Sequence, residues 1–366
     1  MTRTLSRPER IAWVRLARTP RIGPLTFHRL IARHRTPSAT LEALPRISNL
    51  IAASADVAET EIDRAEALGA RLIASCEPDY PPLLAQLDAP APIISIRGDA
   101  DLLKKPTIAI VGSREASGAA LLFAERLAAD LGEAGFTIVS GLARGLDAAA
   151  HKGSLNTGAA AVLAGGLDHP YPPQNLKLHD ALCERGAVIS EAPLGTIARA
   201  RDFPRRNAII SGVSRAVVVI EAALRSGSLI TARAAADQGR DVMAAPGSPL
   251  DPRARGSNAL IKQGATLIEN AEDVIAALGD PAPPLRPHSI GPLFMEDTTP
   301  PPPGLPKKIA ALLSPTPIHV NDLARLTEAP MGAVAAALTE LEMEGRAASL
   351  PGGYAALGRH AFSGES

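Results

Sequence analysis

The chain has 366 residues, too many for one ordinary core, so two or three domains are expected. An apolar fraction of 46% and a charged fraction of 21% exclude a disordered chain. Equal numbers of basic and acidic residues, 38 each, exclude a protein that is basic all over, though not one with a local basic groove. Cys76 and Cys183 stand in unrelated contexts and the eight histidines are scattered, so neither a disulfide framework nor a metal site is predicted. No apolar run reaches the length of a bilayer span, and the N-terminus lacks a secretory pattern. A cytoplasmic protein is the expectation.

Residues 1–70 read as short helices. In "RIGPLTFHRLIARH" a Gly stands between apolar residues at a helix start. Helix-hairpin-helix modules use such a Gly to bring backbone N–H groups to a phosphate, and an ordinary helix-capping turn uses it as well. A helix-hairpin-helix or SAM-like domain is therefore expected here.

Residues 71–280 alternate strand and helix. "TIAIVG" (107–112) is a short apolar run, "SGAALLFAERLAADLGEAG" (117–135) a helix closed by Gly, and "FTIVSG" (136–141) the next strand. Apolar runs at 159–166, 186–191, 215–222 and 240–247 follow, most separated by helical stretches. Continuous apolar strands joined by helices predict a mostly parallel sheet covered on both faces, hence a doubly wound, Rossmann-like α/β domain.

The segment 281–306 contains ten prolines in 26 residues and reads as a semi-rigid linker. Beyond it, "PKKIAALLS", "HVNDLARLT" and "PMGAVAAALTELEMEGRAASL" read as three helices, the last running into a strand, and "GGYAAL" as a returning strand. Three helices and a hairpin over 307–358 predict a winged helix. Asn321 or Asp322 is the expected cap of the second helix. The third helix carries Glu340, Glu342 and Glu344 and no basic residue before Arg346, which makes it a poor reader of duplex DNA; protein contact fits it equally.

Ligands of an open α/β sheet bind beyond the carboxyl ends of its strands. The segments there are "GSREAS", "SGLARGLD", "AGGLDHPYPPQN", "EAPLGTIARARDFPRRN", "EAALRSGSLITA" and "APGSPLDPRARGSN". All are rich in Gly, Ser, Arg and Pro and poor in carboxylates. Gly lets backbone N–H groups approach an anion, and Arg adds bidentate phosphate contacts. Several such loops suit several phosphates in a row. "GSREAS" lacks the third Gly of a dinucleotide fingerprint and no acidic residue is placed for a ribose, so no nicotinamide or flavin cofactor is expected.

Catalytic constellations are hard to find. Asp147 and His151 lie four apart on a helix start and share a face, as a catalytic pair or as a cap with its partner. Ser113, Ser226 and Ser228 lack an obvious base. His169 and His179, in or beside a Pro-rich loop, read as solvated. A nuclease would need clustered carboxylates for metal ions. Within "RARDFPRRNAIISGVSR" five arginines surround a phenylalanine. Phe203 reads either as core or as a base platform, Arg205 and Arg206 as phosphate partners or solvated charges, and Asn207 as a helix cap, a DNA contact or both.

The motifs "AIVGSREAS", "SGLARGLDAAAH", "AVLAGGLDHPYPPQN", "SEAPLGT", "GSNALIKQGA" and the long run from Phe203 to Gly247 closely resemble the DprA/Smf family of DNA-processing proteins, with "YPPLLAQLDAPAPIISIRGD" as its lead-in. The resemblance spans about 80–270, and the flanking pieces fit the family's longer members. It implies a non-catalytic Rossmann-like core that holds single-stranded DNA, forms a homodimer and loads RecA recombinase during natural transformation. The implied DNA-binding residues are Gly112, Ser113 and Arg114; Phe203, Pro204, Arg206 and Asn207; Gly227 and Ser228; and Lys262, whose region is also tied to dimerisation. The residue chemistry adds Gly141, Arg144 and Gly145 of the second loop, and Arg205. The competing reading is a nucleotide-processing enzyme of phosphoribohydrolase type on a related fold. Its P-G-G-x-G-T loop is followed by a Glu, and no Glu follows Thr231 at that spacing.

Overall fold

The computed structural model describes residues 3–47, 50–279 and 303–358. Four helices open the chain: α1 (Arg7–Ala17), α2 (Pro24–His34), α3 (Pro37–Ile47) and α4 (Ala55–Ala67). Local capping sets their starts. The Ser6 backbone N–H donates to the Glu9 carboxylate at 2.9 Å, and the Ser54 hydroxyl accepts from Val57 N at 3.3 Å. Trp13, Leu16, Phe27, Leu44 and Ile62 form one apolar cluster with Leu72, Ile93 and Val188 of the central sheet. The helical region and the sheet thus share a core, and the Trp13 indole N–H donates to the Pro92 carbonyl at 2.7 Å.

The middle of the chain carries β1 (Ala70–Ala74), α5 (Pro82–Ala85), β2 (Ile93–Gly98), β3 (Thr107–Gly112), α6 (Gly118–Glu133), β4 (Thr137–Ser140), α7 (Leu146–Ser154), β5 (Ala159–Leu163), α8 (Leu176–Arg185), β6 (Ala187–Ser190), α9 (Phe203–Gly212), β7 (Ala216–Ile220), α10 (Ser228–Asp237), β8 (Asp241–Ala244), α11 (Arg255–Lys262), β9 (Thr266–Leu267) and α12 (Ala271–Ala277). The nine strands lie in the order β1-β2-β6-β5-β4-β3-β7-β8-β9. From β6 to β9 all neighbours are parallel, whereas β2 runs antiparallel to both β6 and β1. The expected doubly wound sheet is present, with an antiparallel edge added by β1 and β2.

Alternation along β7 shows why its run is continuously apolar. Val217 and Val219 pack with Ile209, Ile210 and Ala232 on one face; Ala216, Val218 and Ile220 pack with Leu127 and Leu131 on the other. A strand buried on both sides has no polar face to offer. Outward from β3 the chain winds one way through β4, β5 and β6 and the other way through β7, β8 and β9. The topological switch point therefore lies between β3 and β7.

Of the expected linker, residues 281–302 lie outside the described residues. Helix α13 (Leu305–Leu312) begins inside the expected linker's end, with Pro306 in its first turn, where a missing N–H costs nothing. Then come β10 (Ile318–His319), α14 (Val320–Thr327), α15 (Met331–Met343), β11 (Ala347–Leu350) and β12 (Tyr354–Leu357), around a core of Leu305, Ile309, Leu323, Val334, Leu338 and Leu341. This is the expected winged helix. Its second helix is capped by His319, whose Nδ1 accepts from Asn321 N at 3.1 Å, and not by Asn321 or Asp322, because α14 starts one residue earlier than its polar pair.

The winged helix is clasped to the sheet domain. Arg253 is held bidentate by Asp251 (2.9 and 3.0 Å) and lies 3.5 Å from Glu221. Its remaining N–H groups donate to the Ala311 and Leu313 carbonyls at 3.0 and 2.8 Å, closing the C-terminal end of α13. Leu122 of α6 packs into the winged-helix core, and Arg325 pairs with Glu125 at 3.1 Å. Arg253→Ala is expected to raise amide hydrogen exchange in 117–123 and 305–313 together. Unchanged exchange in both segments would show that docking does not rest on this arginine.

Candidate nucleic-acid interface

A cleft of about 670 Å³ opens at the switch point. It is the largest of the cavities described. A second, of about 400 Å³ between α1, α4 and β1, is walled by charges that already pair with each other, Arg10 with Glu77 at 2.7 Å and Arg71 with Asp79 at 2.9 Å.

Three helices, α7, α9 and α10, line the main cleft with residues of their N-terminal turns: Asp147; Phe203, Pro204, Arg206 and Asn207; and Ser228, Ile230 and Thr231. The N-terminal ends of helices carry partial positive charge, so their convergence favours an anion. Arg114, Arg144 and Arg225 line the cleft, are exposed, and make no ion pair among the described residues. Glu115 and Asp147 are the acidic groups in its wall.

Arg206 is buried and forms the cleft floor. Its Nη1 donates to the Gly141 carbonyl, and to that of Val162 at 2.9 Å; its Nε donates to Asn207 Oδ1 at 3.1 Å. Burial pushes its pKa down to about 10, with Arg114 adding to the fall and Asp147 opposing it. It thus stays protonated at neutral pH. The Asp147 carboxylate accepts from Gly141 N at 3.1 Å and Ala143 N at 3.2 Å, tying the loop to the start of α7, and burial raises its pKa against the pull of Arg206.

Two glycines make this fit possible. A Cβ on Gly141 would come within 2.2 Å of Arg206 Nη1 and 2.8 Å of Asp147 Oδ2. Gly145 has φ +76°, and a Cβ there would lie 2.4 Å from the Ser113 carbonyl oxygen. That same oxygen accepts from Leu146 N, and Ser113 N donates to the Glu221 carbonyl at 2.9 Å, so the turn bearing Arg114 is fixed from both sides.

Ten of the fourteen residues singled out by sequence line the main cleft: Gly112, Ser113, Arg114, Arg144, Phe203, Pro204, Arg206, Asn207, Gly227 and Ser228. Gly141 lines a small side recess and Gly145 shapes the turn behind it. Arg205 and Lys262 do not line the cleft. Adjacent residues on α9 point about 100° apart, and Arg205 turns to the buried Glu191 carboxylate, its Nε 2.6 Å from Oε2. Lys262 is exposed at the far end of α11.

Phe203 is half-buried under two cations, with Arg114 Cζ 5.2 Å and Arg206 Cζ 5.4 Å from its ring centroid. Asn207 does not cap a helix, because α9 begins at Phe203 and places it in the interior, where its side-chain N–H donates to the Gly227 carbonyl at 3.3 Å. Arg225 lines the main cleft and Tyr171 the side recess, and neither is singled out by sequence. The only signal for them was membership of loops already recognised at the sheet edge.

Other expectations change. Asp147 and His151 are no acid–base pair: both are buried, Asp147 holds backbone N–H groups, and neither His151 nitrogen has a hydrogen-bond partner. His179 is buried rather than solvated, with Nδ1 3.0 Å from Asp180 Oδ1, whereas His169 is exposed. The N-terminus of α6, where many sheets of this topology hold a phosphate, is occupied from within. Glu221, at φ +45° and buried, accepts from Ser117 N at 2.7 Å. Burial raises its pKa.

Residues 71–279 match the family model for DNA recombination-mediator protein A, residues 295–353 that for the DprA winged helix domain, and residues 7–67 that for a DprA-like N-terminal HHH domain. The chain is 40% identical to Protein Smf of Escherichia coli over 287 residues, 76% of this chain and 75% of that protein. It is 44% identical to DNA processing protein DprA of Streptococcus pneumoniae over 200 residues, 54% of this chain and 70% of the relative. The X-ray structure of the Streptococcus pneumoniae protein superposes with a TM-score of 0.62 at 31% identity, covering 75% of this chain and 98% of that one. DNA processing protein A of Helicobacter pylori, solved for its single-stranded DNA binding mode, gives 0.53 at 27% identity, over 57% and 95%.

Two outcomes test this geometry. Gly141→Ala is expected to lower stability by about 1–3 kcal/mol in urea unfolding, since a methyl group must displace the Arg206 guanidinium or the main chain. Gly227→Ala, with open space around the added Cβ, should stay within about 0.5 kcal/mol of wild type. Burial, with Arg206 adding, lowers the pKa of His151 to about 3. Below about pH 6.5 the unfolded chain takes up a proton that the native histidine refuses, so His151 costs stability as pH falls from about 6.5 towards 3. Asp147 and Glu221, with raised pKa values, act in the opposite sense. Between pH 6.5 and 5 the histidine's share approaches about 2 kcal/mol, and His151→Leu should remove it from the measured pH dependence of unfolding. An identical pH dependence in both proteins would contradict the assignment.

Proposed function

The chain belongs to the DNA recombination-mediator protein A family, DprA/Smf, and on that premise we propose that it binds single-stranded DNA in the cleft at the switch point, without catalysis. One observation carries the reading: three unpaired exposed arginines, Arg114, Arg144 and Arg225, surround a cleft that three helices line with their N-terminal turns. Such a surface offers several cationic partners at once, which matches a run of phosphates more closely than a single anion. Ser113, Ser226 and Ser228 stand at the cleft without a histidine beside them; Ser226 and Ser228 share a hydrogen bond of 2.7 Å with each other. This supports binding without chemistry.

We further propose the rest of the family role: loading of RecA recombinase onto the bound strand during natural transformation, by a homodimer. Membership of the family is its support. Lys262 belongs to this wider proposal, at the dimer or on a longer DNA path.

In fluorescence anisotropy, labelled oligo-dT is expected to bind wild type with a steep salt dependence. Arg114→Ala should weaken binding about ten- to a hundredfold and reduce the salt slope by about one unit. Equal binding by wild type and variant would exclude the cleft as the site.

A further inference from the structure

Glu221 meets the cleft with its main chain and the winged helix with its side chain. It follows β7 at φ +45°, a conformation that a residue with a side chain keeps only where its surroundings impose it. Its carbonyl accepts from Ser113 N at 2.9 Å, next to Arg114, and Ala223 and Arg225, just after it, line the cleft. Its carboxylate accepts from Ser117 N at 2.7 Å and lies 3.5 Å from Arg253, the residue that grips the Ala311 and Leu313 carbonyls. One residue on, the backbone of Gly118 lies against the winged helix: a Cβ there would fall 2.4 Å from Ile318 Cδ1. The turn 113–117, which carries Arg114, thus runs from the cleft to the docked domain. The joint itself is loosely filled. A cavity of about 180 Å³ opens in it, lined by Ser117, Phe123 and Glu221 on one side and by Ser314 and Thr316 on the other. A domain interface with such space in it parts more readily than a filled core.

Resting on the single-strand reading above, we propose that the cleft and the winged-helix joint are coupled through Glu221, so that docking strengthens DNA binding and DNA strengthens docking. In the docked state Glu221 and Arg253 hold the start of α6, and Arg114 meets the strand from a turn already in place. In the released state Arg253 loses the two carbonyls that fix it beside Glu221, and the first turn of α6 loses the cover of Ile318. Arg114 must then be ordered when the strand binds, which costs affinity. Linkage makes the effect mutual and of equal size in both directions. A partner that takes hold of the winged-helix surface now covered by α6 loosens the grip on the strand in the same way.

The test reads both sides of the coupling in the full chain. Arg325→Glu sets like charge against Glu125, its partner at 3.1 Å, and neither residue lines the cleft. Arg253→Ala opens the clasp. Both variants should raise hydrogen exchange at 305–313. In fluorescence anisotropy each is expected to weaken oligo-dT binding about five- to a hundredfold with the salt slope unchanged, since no phosphate contact is lost. Adding Glu125→Arg to Arg325→Glu should restore exchange and affinity together. Saturating oligo-dT should in turn lower exchange at 305–313 in wild type. The inference is overturned if variants that release the winged helix bind oligo-dT as wild type does, or if oligo-dT leaves exchange at 305–313 unchanged. A salt slope that falls with the affinity also overturns it, because the winged helix would then touch the strand itself. Equal binding by wild type and Arg114→Ala would instead overturn the cleft, so the two readings fall separately.

Discussion

The cleft depends on one buried cation hydrogen-bonded to main chain. Arg206 leaves α9 and ends on the carbonyls of Gly141 and Val162, at the ends of β4 and β5. A guanidinium out of water is tolerable only when its N–H groups are satisfied and a counter-charge is near; Asp147 supplies the charge. Arg206, Asp147 and Gly141 form a closed set, since each fixes the place of the other two. The loop carrying Arg144 and the helix carrying Phe203 inherit their positions from it.

Two other kinds of arginine stand beside this buried one. Arg10, Arg18, Arg205 and Arg253 pair with Glu77, Glu61, Glu191 and Asp251 and hold elements together. Arg114, Arg144 and Arg225 have no such partners and remain available. A chain of zero formal charge thereby carries a local positive field, because carboxylates such as Glu61, Glu77, Glu191 and Asp251 face structural arginines and, among the described residues, the cleft wall holds only the carboxylates of Glu115 and Asp147.

The parallel strands were legible because burial on both faces writes itself as an uninterrupted apolar run, as in residues 216–220. The edge strands β1 and β2 were not. They lie outside the strand–helix rhythm, and antiparallel pairing at a sheet edge depends on a partner, β6, about a hundred residues away. The loops forming the cleft could be gathered from the rule that ligands sit beyond strand ends. What composition could not give was the phase of each side chain. "PRRN" does not say which arginine faces inward until the start of α9 at Phe203 is known; the step of about 100° between neighbours then sends Arg205 to Glu191 and Arg206 to the floor. Likewise Phe203 was visible as an aromatic among arginines, but not that those arginines already cover it.

Glu221 has a bearing on competition inside a cell. Mononucleotides and dinucleotide coenzymes bind doubly wound sheets largely through a pyrophosphate set on bare amides at the helix that follows the first strand of the fold. Here that amide, Ser117 N, already donates to a carboxylate of the protein's own. A soluble nucleotide arriving there meets like charge. The abundant metabolite pool is thus denied that site, and at the main cleft a polymer that engages several exposed arginines at once has the advantage of valency.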